Sequence, residues 1–174
     1  MENIFYKEFI EQSLYRMGHN TVKIKSCVNA LDEKEVWFCP NTNLNSVGNL
    51  ILHLCGNIRQ YIISSLGGGT DTRERDVEFS TTGGYGKAEL AAKLDDTVTE
   101  SKSFIEIASH ENLLRSRIVQ GMPHTGIGII IHVTEHYSYH TGQIIFLTKL
   151  LKNIDLGFYS GIDLNKRNSP ESLT

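Results

Sequence analysis

The sequence predicts an all-α protein, a four-helix bundle with long connections from the first helix to the second and from the second to the third. Three observations lead there. Four long segments repeat apolar residues at three- and four-residue steps, the spacing of a buried helical face. Strand propensity is low throughout, and Gly, Pro and Asn clusters separate the segments. The 174 residues suit one domain with a full core, because a chain of about 150 residues buries roughly 68–70% of its unfolded surface.

The first helix is expected over residues 3–31, where Phe5, Phe9, Leu14, Met17, Ile24, Val28 and Leu31 mark the inner face. Pro40-Asn41-Thr42-Asn43 forbids its continuation through the following connection. Asn45 or Ser46 can cap a second helix from Val47 to about Leu66, which Gly67-Gly68-Gly69 ends. Residues 70–86 read as a long polar connection carrying Arg73, Arg75, Asp76, Glu78 and Phe79. The third helix runs from Lys87 to about Ser109, with Leu90, Leu94, Val98 and Ile105 inside. Thr125 can cap a fourth that extends to about Lys152. One bundle of residues 1–152 therefore precedes a loosely packed tail, 153–174.

Charge narrows the function classes. With 17 Lys and Arg against 20 Asp and Glu, the chain lacks the concentrated basic footprint that gripping phosphate backbones requires. The N-terminus has no basic segment followed by an apolar one, and no run approaches the ~18 apolar residues of a membrane helix. Cys27, Cys39 and Cys55 are odd in number and lack C-x-x-C spacing, so they suggest small core hydrophobes rather than disulfides or a zinc ribbon. A reduced, cytoplasmic protein is expected, with neither nucleic acid nor membrane as partner.

The second and fourth helices are almost free of charge. Arg59 alone is charged between Val47 and Leu66, and Glu135 alone between Thr125 and Thr148. Such helices are buried over most of their circumference, in the bundle interior or in a homodimer seam. Polar residues on them need partners, because burial unpaired costs about 1–3 kcal/mol each. His132, His136 and His140 recur at four-residue steps, so His136 and His140 can aim at one point, and Gln143 follows on the same stripe. Asn49, His53, Asn57 and Gln60 make an uncharged polar stripe on the second helix. The expectation is that His53, His136 and His140 converge on one divalent metal, with imidazoles merely packed in a helical dimerisation module as the competing reading.

Two other metal patterns fit less well. His132-Val133-Thr134-Glu135-His136 matches the H-x-x-E-H metallopeptidase motif, but Asp155, Asp163 and Glu171 are the only acidic residues beyond it. Di-iron bundles require Glu three residues before His, and no histidine here has one.

Asn45 to Leu54 followed by Gly56-Asn57-Ile58-Arg59-Gln60, and above all His132 to Ile144 with its H-x-x-x-H-x-G-Q run, resemble the second helix and the C-terminal signature of the DinB-like superfamily. Arg73 to Phe79 is similar to the loop after the second helix in an uncharacterised subgroup. The resemblance implies a four-helix bundle with a crossover between its first two helices, often a homodimer, and a metal held by His53, His136 and His140. It also implies thiol-dependent or hydrolytic chemistry, since relatives include thiol S-transferases using bacillithiol, a mycothiol-dependent maleylpyruvate isomerase and metal-dependent hydrolases.

Three neutral nitrogen ligands leave a divalent ion an open position, and imidazole suits zinc, nickel and iron alike. The expected function is therefore a metal-dependent transferase or hydrolase acting on a small-molecule substrate, with a low-molecular-weight thiol or water as nucleophile. Asn49, Asn57, Gln143 and His132 are candidates to orient ligands or substrate. Arg59, with Arg73 and Arg75, is a candidate anchor for a carboxylate or else plain surface charge. Glu135 lies about 100° around the helix from His136, so no general base is evident. The alternative is a metal-binding stress protein without catalysis.

Overall fold

The computed structural model describes residues 4–167; the last seven residues of the expected tail lie outside them. Helix α1 (Ile4–Ala30) buries Ile10, Met17, Ile24, Cys27 and Val28. A single 3-10 turn at Glu35–Trp37 follows. Helix α2 (Val47–Ile58) starts where the sequence places it. The Ser46 hydroxyl accepts from the Asn49 N–H, and the Asn49 side chain accepts from the Ser46 N–H, both at 3.1 Å. Every residue of α2 except Gly56 is buried.

The expected second helix does not continue as an α-helix to Leu66. Residues Arg59–Leu66 wind as a π-helix, a wider turn that periodicity reading with a 3.6-residue step does not anticipate. The polar connection after it holds another short helix, α3 (Arg75–Ser80). Helix α4 (Lys87–Glu106) buries Leu90, Leu94 and Ile105 and ends earlier than expected. A short α5 (His110–Leu114) and a hairpin of β1 (Ser116–Val119) and β2 (Met122–Thr125) then lead into α6 (Gly126–Lys152). The Thr125 hydroxyl caps α6 by accepting from the Gly128 N–H at 3.1 Å, as the sequence predicts.

The four long helices, α1, α2 with its π extension, α4 and α6, form the bundle. Helix α6 packs mainly on α1, while α2 packs on α3, α4 and α6. One continuous core joins them, with Tyr61 and Tyr137 its largest fully buried side chains. Tyr137 shares a 2.8 Å hydrogen bond with Thr21, tying α6 to α1. Two expectations need correction. Helix α6 is exposed over more of its circumference than expected, with Ile131, Tyr139, Phe146 and Leu150 open to solvent. Of the cysteines, Cys27 and Cys55 are buried but Cys39 is exposed. Beyond α6, Leu156 and Phe158 pack against the core, and Lys23 donates to the Tyr159 hydroxyl at 3.2 Å. No helix among the described residues is long and apolar enough to cross a membrane.

Candidate metal centre

Helices α2 and α6 face each other across the polar stripe. His53 projects from the middle of α2, and His136 and His140 project from successive turns of α6. One ring nitrogen from each lies within 4.8 Å of those from the other two. The His136 Nε2 is 3.1 Å from the His53 Nε2 and 3.2 Å from the His140 Nε2. Nitrogens sharing one tetrahedral zinc at 2.0–2.1 Å would sit about 3.3 Å apart. His53 and His140 are buried and His136 is half-buried.

The far side of two rings decides which nitrogen faces inward. His53 Nδ1 lies 2.8 Å from Glu78 Oε2, and an ionised carboxylate only accepts, so His53 donates its Nδ1–H there. His140 Nδ1 lies 2.7 Å from Gln143 Oε1 and likewise donates. Both rings then turn Nε2 lone pairs toward His136, whose Nε2 could carry one proton and satisfy only one of them. A shared cation resolves this conflict, so the three residues fit a metal by their donor chemistry.

Burial favours the neutral, ligating form of the two α6 rings. Burial and the adjacent His140 and His53 rings push His136 down to about 3. Burial also lowers His140 and His132. For Glu78, burial alone would raise the carboxyl, but hydrogen bonds from Arg73 and His53 hold it below the ordinary carboxylate range.

The other sequence candidates occupy distinct places. Asn57 Nδ2 donates to His132 Nε2 at 3.3 Å, and His132 stacks on Tyr61 at 4.2 Å between centroids. The Oδ1 of Asn57 and the Nδ1 of His136 are buried without a partner. Asn49 serves the frame, holding the Ser46 cap and donating to the Glu78 and Thr81 carbonyls at 3.0 and 2.6 Å. Gln60 does not continue the stripe; it accepts from Arg73 and donates to Asp71, because the π winding begins just before it. Arg59 pairs with Glu100 at 3.1 Å, and Arg75 lies over the Phe79 ring. Arg75 opens α3, and Arg59 lines a cavity of about 280 Å³ walled also by Gly56, Arg73, Glu78 and Lys93, with none of the three imidazoles in its wall. Glu135 lines a separate groove against Arg16, His19 and Lys23 of α1, which removes it as a base beside His136. His124 is half-buried and packs near Tyr61 and His132.

Sequence reasoning assigned no role to Glu78. The signal lay in the Arg73-x-x-x-x-Glu78 spacing and in Gly56, one of two glycines on a helix otherwise made of larger residues.

A helical bundle with three convergent imidazoles between its second and last long helices defines a protein of DinB-like fold with a candidate metal site. A family model described as a protein of unknown function (DUF1572) matches residues 5–161. The chain belongs to that family. Among solved structures, it resembles the crystal structure of a DinB-like protein, YjoA, from Bacillus subtilis, with a TM-score of 0.64 and 14% identity over 83% of this chain and 94% of that one. That likeness supports the fold. No curated protein matches the chain.

Proposed function

We propose that this protein is a metal-dependent enzyme in which His53, His136 and His140 hold a divalent zinc, nickel or iron ion that serves a thiol or water nucleophile. The observation that carries this reading is the convergence of Nε2 lone pairs described above, with Glu78 and Gln143 bonded behind two of the three rings. A bound ion would supply Lewis acidity, stabilising the anionic form of the nucleophile or polarising a substrate oxygen. The chain's own groups then do the positioning. Glu78 and Gln143 hold two imidazoles in place. Asn57, with a buried carbonyl oxygen that has no partner, and His132, hydrogen-bonded to it and stacked on His136, are uncharged polar groups that can orient a small-molecule substrate.

This reading includes a cytoplasmic homodimer. Three unpaired cysteines support a reducing compartment, and the exposed Tyr139, Phe146 and Leu150 face of α6, beside Leu44, supports a second copy. A metal-binding stress protein without catalysis would share the ligands but turn nothing over.

The test begins with untagged protein purified without chelator. About one transition metal per chain, lost in His53→Ala and His140→Ala, is expected; retention in the variants or no metal rejects the site. Loaded protein is then incubated with low-molecular-weight thiols and an electrophile, and separately with esters. Turnover no faster than with metal-stripped protein removes the enzymatic reading and leaves the stress-protein one.

A further inference from the structure

We infer that Glu78, clamped by Arg73 and admitted by the missing side chain of Gly56, is the positioning residue that locks His53 as its Nδ1–H tautomer and so presets the centre to receive a metal. This rests on the metal-site reading and deepens it. The carboxylate reaches His53 from a different chain segment, 25 positions on. It arrives with its charge matched: Arg73 Nε donates to Oε1 at 2.8 Å and Arg73 Nη2 to Oε2 at 2.9 Å, the bidentate fork that suits a carboxylate. The Arg73 side chain is 3% exposed and that of Glu78 10%, so the pair is desolvated, where removing one member is costly. Arg73 is aimed in turn by Gln60, and Gln60 and the Arg73 N–H are both held by Asp71.

Arg73 Nη2 also lies 3.1 Å from His53 Nδ1, which raises the opposite tautomer as a rival. In that state a bare Nδ1 would face the Glu78 oxygen, lone pair against lone pair, at 2.8 Å. The acceptor-only carboxylate therefore selects Nδ1–H, leaving Nε2 free to ligate. Hydrogen-bonded carboxylates behind ligand histidines act this way, orienting the ring and raising its basicity. Arg73 limits that gain by keeping the carboxylate's negative charge partly engaged.

Gly56 makes the approach possible. A Cβ there would sit 1.8 Å from Glu78 Oε1 and 3.1 Å from Arg73 Nε, so any side chain at residue 56 displaces the carboxylate. Gly56, the one α2 residue that is not buried, therefore acts on the centre through the Glu78–Arg73 pair.

The test reads tautomer and affinity on the full chain. Nitrogen-15 imidazole spectra of the metal-free protein are expected to show His53 protonated at Nδ1. That preference is expected to be lost in Glu78→Ala. Zn²⁺ affinity, measured by competition with a chromophoric chelator, is expected to fall about 10–100-fold in Glu78→Ala. Gly56→Ala should reproduce both effects, and adding it to Glu78→Ala should cost little more, with helix content followed by circular dichroism. A metal-free wild type protonated at Nε2, or a folded Glu78→Ala with wild-type Zn²⁺ affinity, overturns the proposal. If His53→Ala also binds Zn²⁺ like wild type, the metal site itself fails, which separates the two readings.

Discussion

Stripping and restoring the metal is expected to move the melting temperature by a predictable amount. The ligands come from α2 and α6, with His53 and His136 separated by 83 positions in the chain. The unfolded chain cannot present them together, so the ion binds the folded state and stabilises it by RT ln(1 + [M]/Kd), about 4.1 kcal/mol at a free metal concentration 1,000 times Kd. For a domain of roughly 150–250 residues each kcal/mol is worth about 2–4 °C, which gives a rise of about 8–16 °C for Zn²⁺ over chelated protein. Differential scanning calorimetry at several free Zn²⁺ concentrations would show the melting point climbing with the logarithm of concentration. His53→Ala and His140→Ala should each flatten that dependence. A melting point indifferent to Zn²⁺, or one that rises equally in both variants, would refute the reasoning, since the stabilisation would then not run through these rings.

Three further outcomes follow from the frame. Gly48→Ala would bring a Cβ within 2.7–2.8 Å of three atoms of the Trp37 ring; overpacking of this kind costs about 1–3 kcal/mol, and because Trp37 is the single tryptophan, altered fluorescence together with a lower melting temperature should report it. Burial pushes the Cys55 thiol from 9.0 up to about 11, so a thiol-directed reagent near pH 8 should modify the exposed Cys39 quickly while Cys27 and Cys55 react only on unfolding. The raised Cys55 value also means its contribution to stability is intact below pH 9 and is lost as pH climbs toward 11; Cys55→Ala should remove that part of the alkaline decline, and an unchanged pH profile would count against it.

The long helices and the three histidines were legible because both signals are periodic and strong. A four-residue step puts His136 and His140 on one face wherever a helix forms, and a charge-free helix advertises its burial. What escaped shares a different physical character. Helix α3 has only six residues, too short for a hydrophobic period to register, so Glu78 read as part of a polar loop. Gln60 was placed on the histidine stripe by assuming a uniform 3.6-residue turn, which the π segment violates. Asn49 looked like a member of the polar site because spacing alone does not distinguish a side chain that faces a ligand from one committed to a helix cap. The hairpin before α6 pairs only four residues per strand, with too little alternation to announce itself.

The π winding at Arg59–Leu66 also acts as a rudder for the chain that leaves it. Deleting a single residue there, and letting the helix relax to ordinary pitch, would swing everything beyond through about 100°. The Gly67–Gly69 exit would then depart from another side of the bundle, carrying the 70s segment off its present course. The extra width of one irregular coil thereby governs whether a distant arginine and glutamate can arrive behind a histidine nearly two turns before it begins.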